Sequence, residues 1–209
     1  MSYLVLVRHG LSEYNKKGLW TGWTDVSLAP EGIEQAKKTG EELKDIRIDY
    51  AYTSDLKRTQ ETLHEILQVI GQFPEITSDK AFNERNYGIY TGRNKWDVKK
   101  EVGEEKFLDI RRVYDYSIPE GESLKQVYER EVPYYKAEIE PKLMAGKNVV
   151  IASSGNPLRA LVKYLENISD EDIDKLEIGT GEAYVYQIDS NGKVINKEIR
   201  GKNPMAGKV

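Results

Sequence analysis

The sequence contains no cysteine among its 209 residues. This absence excludes disulfide bonds, thiolate metal sites and cysteine nucleophiles. Histidine is also scarce, because the chain contains only His9 and His64. A secretory signal and long apolar runs are missing as well. We therefore expect a soluble, cytoplasmic protein with no membrane partner.

An excess of charge of one sign is absent too. The 31 lysines and arginines nearly match the 35 acidic residues, and the formal net charge is -4. No overall field of the molecule favours a polyanion, so we expect no nucleic-acid partner. A binding site for a small anion must instead come from a local cluster of cations.

The first apolar run of the chain ends in a group of polar residues. Residues 3–7 are typical of a strand that is buried on both faces, and Arg8, His9 and Gly10 follow it directly. In open α/β sheets, ligands bind beyond the carboxyl ends of the strands. We interpret His9 as a candidate nucleophile for a phosphoryl group held by Arg8 and other cations. This stretch alone leaves an alternative open, in which His9 is satisfied within a loop and Arg8 is merely exposed.

Strand and helix patterns alternate along the rest of the chain, which predicts an α/β fold with a mainly parallel sheet. The predicted elements are a helix from Pro30, a strand over 50–53, a helix capped by Ser54, a loop region over 76–95, a helical stretch over 96–116, a helix from Ser123 to about residue 144 that Pro133 and Pro141 disturb, a strand over 148–152, a helix from Pro157, a hairpin of strands over 183–189 and 194–199, and a polar tail over 200–209. No internal repeat or linker is recognisable, so we expect a single domain over residues 1–209.

Other candidate site residues follow predicted strands or lie in loops. Arg58 lies in the first turn of a predicted helix, and a helix N-terminus attracts anions. Glu84 lies in a loop rich in arginine and glycine, where it is either a proton-transfer group near phosphate or part of a surface ion pair. The adjacent Arg111 and Arg112 suit bidentate contacts with carboxylate or phosphate, although such pairs usually belong to a solvated face.

Eight blocks of sequence match one known family in order, over nearly the whole chain. They are RHGLSEYN (8–15), GLWTGWTDVSL (18–28), YTSDLKRTQET (52–62), NERNYG (83–88), GRNK (92–95), IRR (110–112), GES (121–123) and GNPLRAL (155–161). Together they resemble the cofactor-dependent phosphoglycerate mutase branch of the histidine phosphatase superfamily. The resemblance implies a three-layer sandwich, with helices on both sides of a mostly parallel central sheet.

The resemblance also implies the chemistry. The protein would be a mutase of glycolysis and gluconeogenesis that interconverts the three-carbon acids 2- and 3-phosphoglycerate. It would be primed by 2,3-bisphosphoglycerate and would need no metal. His9 would carry the phosphoryl group, Arg8 and Arg58 would neutralise its oxygens, and Glu84 would exchange a proton with the substrate hydroxyl. The implied substrate-binding residues are Ser12, Asn15, Thr21, Gly22, Arg85, Tyr87, Lys95, Arg111, Arg112, Gly155 and Asn156. Dimers are common in the family, so the resemblance allows a homodimer.

The sequence departs from the family at one catalytic position. The family normally has a second histidine directly before the Gly-Asn turn, and here that residue is Ser154. Serine is shorter and offers one hydroxyl donor without positive charge. His64 lies six residues beyond Arg58 on a helix that leads away from the sheet edge, so it does not replace the missing imidazole. Losing one hydrogen-bond donor to the transition state lowers the rate by a factor of about 10²–10³ in a comparable case. We therefore expect an impaired mutase.

Two alternative functions stay open at this stage. The first is a phosphatase of the same superfamily, because the segment over 113–121 and the tail are short where many mutases have long ones. An incompletely closed site would let water reach phosphohistidine. The second, suggested by Ser154, is a protein that binds phosphorylated ligands without turning them over.

Overall fold

Six strands form one mixed sheet in the computed structural model, which describes residues 1–203. The strands are β1 (Ser2–Arg8), β2 (Tyr50–Thr53), β3 (Ile76–Ser78), β4 (Val149–Ser153), β5 (Ala183–Ile188) and β6 (Val194–Arg200). Their order across the sheet is β3-β2-β4-β1-β5-β6. The first four strands in this order are parallel, whereas β5 pairs antiparallel with both β1 and β6. The predicted α/β class and mainly parallel sheet are confirmed.

Eight α-helices connect these strands within the described residues. They are α1 (Glu13–Lys16), α2 (Pro30–Glu42), α3 (Lys57–Ile70), α4 (Lys95–Val102), α5 (Glu104–Arg112), α6 (Leu124–Tyr134), α7 (Glu140–Met144) and α8 (Gly155–Glu166). Single 3₁₀ turns occur at Lys80–Phe82, Gly88–Tyr90 and Asp172–Lys175, and a π-helical turn (Tyr135–Ile139) joins α6 to α7. None of the helices in this part of the chain combines the length and the apolar character that crossing a bilayer requires.

The sheet separates two hydrophobic cores. Successive side chains of a strand point to opposite faces. Leu4 and Leu6 of β1 therefore pack into a core with the α6–α8 region, whereas Val5 and Val7 pack into a core with α3 and the segment that follows α2. Helices thus cover both faces of the sheet, and the expected three-layer sandwich is confirmed.

Several element boundaries differ from the prediction. Ser54 does not cap α3, because that helix begins at Lys57 and its N-cap is Leu56. The helical stretch over 96–116 is two helices, which Gly103 separates with a φ of 85° that side-chain-bearing residues rarely adopt. The prediction of a loop over 76–95 missed β3, which is only three residues long and half exposed.

The helix predicted from Pro157 begins two residues earlier, at Gly155, and the strand predicted over 148–152 is Val149–Ser153. Other predicted features are confirmed. Ser123 caps α6 through a full capping box with Gln126. The helix is disturbed at the π-helical turn that follows Pro133, and Pro141 lies in the first turn of α7. The predicted C-terminal hairpin is formed by β5 and β6. Of the predicted polar tail, residues 204–209 lie outside the described residues.

Candidate active site

Three parallel strands end at one edge of the sheet. Arg8 of β1 pairs with Ser153 of β4, and Thr53 of β2 pairs with the neighbouring Ala152. The backbone N–H of His9 donates to the Ser153 carbonyl over 2.9 Å. The segments that leave β1, β2 and β4 are therefore brought together where an open α/β sheet binds ligands.

A cleft of about 670 Å³ opens at this edge. Six basic side chains and two acidic ones line it, so its charge is strongly positive although the whole chain is acidic. The lining residues are Arg8, His9, Asn15, Leu19, Trp20, Thr21, Gly22, Arg58, Glu84, Tyr87, Lys95, Arg111, Arg112, Gly155, Asn156, Arg159, Glu177 and Ile178. The local cation cluster that an anion site requires is present.

His9 is held as a neutral imidazole. Its side chain is buried, and its Nδ1 lies 2.7 Å from the carbonyl oxygen of Gly10. That contact assigns the ring proton to Nδ1 and leaves the lone pair on Nε2. Burial lowers the pKa of His9 well below its usual value, and the nearby Arg58 and Arg8 lower it further. At neutral pH His9 can therefore act as a nucleophile through Nε2.

Gly10 permits a close approach that fixes the loop after β1. A Cβ at Gly10 would lie 2.2 Å from the carbonyl oxygen of Gly32 in α2. The N–H of Gly10 also donates to the hydroxyl of Thr62 in α3 over 3.1 Å. Any side chain here would push the loop away from α2 and displace the His9 ring.

Arg58 connects the start of α3 to the loop that follows α1. Its two terminal nitrogens donate to the carbonyls of Gly22, at 2.9 Å, and Thr24, at 3.1 Å. Burial lowers the pKa of Arg58 to about 10, so the guanidinium stays charged at neutral pH. Its Nε is buried without a hydrogen-bond partner among the described residues, as is the hydroxyl of Thr21. Buried polar groups normally find partners, so both suit an anionic ligand.

Glu84 is oriented by hydrogen bonds to one oxygen of its carboxylate. Oε1 accepts from the N–H of Arg85 at 2.7 Å and from Nδ2 of Asn156 at 2.9 Å. No hydrogen bond to Oε2 occurs within residues 1–203, so that oxygen is available to a ligand. The Glu84 carbonyl accepts from Nε1 of Trp23 and from Arg130 of α6. Glu84 thus presents one carboxylate oxygen to the cleft from a firmly held backbone.

Asn156, at the start of α8, joins both sides of the cleft. Besides Glu84, its amide nitrogen donates to the Tyr87 hydroxyl over 2.8 Å. Its amide oxygen accepts from Nη1 of Arg159 over 3.1 Å. Arg159 also donates to the carbonyls of Arg111 and Arg112 at the end of α5. One turn of α8 therefore positions both the Glu84 loop and the arginine pair.

Three predicted site residues do not line the cleft. The hydroxyl of Ser12 caps α1 by accepting from the N–H of Asn15, and it donates to the Asn15 side chain. Arg85 is buried behind the cleft, with its guanidinium 4.7 Å from the Tyr87 ring centre and bonded to the Ile110 carbonyl. Ser154 is fully buried as the N-cap residue of α8. The other predicted site residues all line the cleft.

Arg159 and Glu177 line the cleft although neither was among the predicted site residues. A signal for Arg159 was available, because it lies three residues after Asn156 and so shares its helix face. No sequence signal marks Glu177, which precedes β5 in an irregular segment. His64, as expected, takes no part in the site, because it is exposed and bonds to Gln68.

Known proteins are similar to this chain over nearly its whole length. A family model described as the histidine phosphatase superfamily (branch 1) matches residues 4–198. A 2,3-bisphosphoglycerate-dependent phosphoglycerate mutase of Parvibaculum lavamentivorans is 46% identical over 199 residues, which cover 94% of this chain and 95% of that protein. A phosphoglycerate mutase of Schizosaccharomyces pombe is 46% identical over 200 residues, covering 94% of each chain.

Solved structures with the same fold also match nearly the whole chain. Bacillus stearothermophilus YhfR superposes with a TM-score of 0.84 at 20% identity, covering 97% of this chain and 98% of that one. An α-ribazole phosphatase from Shigella flexneri gives a TM-score of 0.74 at 25% identity, covering 89% of this chain and 90% of that one. These likenesses support the three-layer architecture.

Proposed function

The chain belongs to the histidine phosphatase superfamily (branch 1), and on that basis we propose that it is a phosphoglycerate mutase that works through a phosphohistidine at His9. The observation that carries this proposal is a buried, neutral imidazole in one cleft with the guanidinium groups of Arg8 and Arg58 and the carboxylate of Glu84. Relatives that carry the mutase name are 46% identical over nearly the whole chain.

The geometry supports two half-reactions that are the reverse of each other. Nε2 of His9 gives its electron pair to phosphorus while the bond from phosphorus to the substrate oxygen breaks. Arg8 and Arg58 balance the charge on the phosphoryl oxygens. Glu84 protonates the departing oxygen through Oε2 and, in the second half-reaction, removes the proton from the attacking hydroxyl.

The cleft fits a ligand with two acidic groups at separate positions. Arg58 and Arg8 are the cations that act most strongly on His9. A second cluster in the same cleft consists of Lys95, Arg111 and Arg112, which lie close enough to influence one another. We propose that the second cluster holds the acidic group that is not transferred. The same cations suit 2,3-bisphosphoglycerate, which when bound supplies the phosphoryl group that primes His9, and we propose that no metal takes part.

We propose that turnover is reduced because Ser154 stands where the family places a second imidazole. A hydroxyl carries no positive charge, and the Ser154 side chain does not line the cleft. His9, both arginines and Glu84 remain in place, so the site keeps most of its phosphoryl-transfer groups.

Phosphatase activity is the competing proposal. The short segment over 113–121 favours it. However, one alignment covers 94% of this chain and 95% of a relative that carries the mutase name, so a protein of similar length is named a mutase. We therefore favour the mutase. A cytoplasmic location, expected from the lack of a signal peptide and of long apolar runs, and a homodimer, which the resemblance allows, stay predictions.

A product assay separates the two activities. The protein is mixed with 3-phosphoglycerate and a trace of 2,3-bisphosphoglycerate, and 2-phosphoglycerate and inorganic phosphate are both measured. We expect 2-phosphoglycerate to form faster than phosphate is released. Release of phosphate without any 2-phosphoglycerate would refute the mutase assignment.

Lys95 should make ligand affinity depend on pH. Burial, together with the nearby Arg111 and Arg8, lowers the pKa of Lys95 to about 8. The ammonium group therefore loses its charge as the pH rises through 8, and only the charged fraction of the protein offers this cation. We expect the dissociation constant for 3-phosphoglycerate, measured by calorimetry, to rise about tenfold between pH 7 and pH 9.

The matched control is Lys95→Arg, since a guanidinium stays charged over this range. The dissociation constant of this variant for 3-phosphoglycerate should vary less than threefold between the same pH values. An equal loss of affinity in both proteins would assign the pH dependence to another group.

A further inference from the structure

The cleft contains a carboxylate that the proposed reaction does not use. Glu177 lies opposite two of the cations, with Oε1 3.7 Å from Nη1 of Arg8 and Oε2 in contact with Nη1 of Arg112. Its side chain is 27% exposed, so it is reachable from solvent. An acidic side chain inside an anion-binding cleft lowers the attraction for a ligand unless it moves aside.

The contact between Glu177 and the two arginines is an ion pair of poor hydrogen-bond geometry. Oε2 of Glu177 is buried and accepts no well-formed hydrogen bond from the described residues, although it touches Arg112. An ion pair without a well-formed hydrogen bond, between side chains that still reach solvent, contributes little to stability. A ligand anion with better geometry can therefore replace this carboxylate.

Both arginines are anchored independently of the carboxylate. Nη1 of Arg112 donates to the carbonyl of Leu176, and Nη1 of Arg8 donates to the carbonyl of Ile178. Ile178 is buried, whereas the side chain of Glu177 between these two carbonyls is partly exposed. The Glu177 side chain can therefore leave while the backbone on either side still holds both guanidinium groups.

We propose that Glu177 is the resident occupant of the second anion position, which the non-transferred acidic group of the substrate displaces. This inference rests on the proposed function, because it assumes a ligand with two acidic groups. Glu177 keeps Arg112 neutralised in the free protein. Ligands with one acidic group bind beside His9 and leave the contact between Glu177 and Arg112 intact, whereas ligands with two groups must break it.

The test compares binding of two ligands to the wild type and to Glu177→Gln. We expect 3-phosphoglycerate to bind about fivefold more tightly to the variant, which corresponds to removing one partly exposed ion pair that competes with the ligand. The affinity for inorganic phosphate should rise less than that for 3-phosphoglycerate, because phosphate meets Arg8, which lies 3.7 Å from Glu177, and not Arg112, which Glu177 contacts directly. The charge-matched control is Asp174→Asn, which removes a negative charge three residues away without an ion pair to the cleft.

A double-mutant cycle assigns the effect to Arg112. In an Arg112→Gln background, Glu177→Gln should no longer tighten binding of 3-phosphoglycerate. Glu177→Ala should reproduce the gain of Glu177→Gln, and a thermal unfolding scan shows that each variant is folded. Unchanged or weaker binding of 3-phosphoglycerate to both Glu177 variants would overturn the inference alone. Failure of the wild type to bind 3-phosphoglycerate would overturn the proposed function and this inference with it.

Discussion

Replacing Ser154 with histidine should raise the mutase turnover number by about 10², because it adds the imidazole hydrogen-bond donor that the family places beside the transferring phosphoryl group. Ser154 is well placed for this change. The preceding residue, Ser153, accepts a hydrogen bond from the N–H of His9 through its carbonyl. The following residue, Gly155, lines the cleft. The Ser154 hydroxyl is buried and has no hydrogen-bond partner among the described residues, so the substitution breaks no side-chain hydrogen bond.

The control for this prediction is Ser154→Ala. Since the hydroxyl makes no hydrogen bond within residues 1–203, its removal should change turnover less than twofold. Ligand-induced thermal stabilisation by 3-phosphoglycerate shows whether the histidine variant is folded and binds. A folded, binding Ser154→His protein with unchanged turnover would show that the missing imidazole does not limit the rate.

Replacing Glu84 with glutamine should lower mutase turnover by about 10²–10³, the usual contribution of a positioned general acid and base. Glutamine keeps the size of the side chain, and its amide oxygen can still accept from the N–H of Arg85 and the amide of Asn156. The geometry of the cleft is therefore retained, while the carboxyl proton that Glu84 gives to the substrate oxygen is lost.

The leaving group provides an internal control for Glu84. Phosphoryl transfer from p-nitrophenyl phosphate needs little help from an acid, because nitrophenolate leaves without a proton. Glu84→Gln should therefore slow transfer from this compound less than tenfold. Equal losses on both substrates would mean that the substitution disturbs the whole cleft and that Glu84 is not the proton donor.

The fold was largely predictable because its central strands are strongly patterned. Strands β1, β2 and β4 are short apolar runs, and the C-terminal hairpin has a clear turn signal. β3 was missed because three half-exposed residues have no periodicity to recognise. The break between α4 and α5 depends on the positive φ of Gly103. A single glycine in the sequence is not enough to predict that conformation.

The site was predictable where a residue directly follows a strand or belongs to a family block. His9 and Arg58 are of this kind, and the cleft contains both. Glu177 was not predictable, because its approach to Arg8 comes from the packing of segments about 170 residues apart in sequence. Ser12 also belongs to a family block, and the segment that contains it does contribute to the cleft. Its own hydroxyl, however, caps α1 and does not line the cleft. The assignment of individual roles stays a prediction.

Phosphoryl capture on His9 tests the central claim most directly. The protein is incubated with 2,3-bisphosphoglycerate, quenched in base, and digested, and the peptides are analysed by mass spectrometry. The account predicts one phosphoryl group on the peptide that contains His9, its loss in His9→Ala, and its retention in His64→Ala, which removes the only other histidine. An unlabelled His9 peptide in a protein that binds 2,3-bisphosphoglycerate, or a label that survives in His9→Ala, would contradict it.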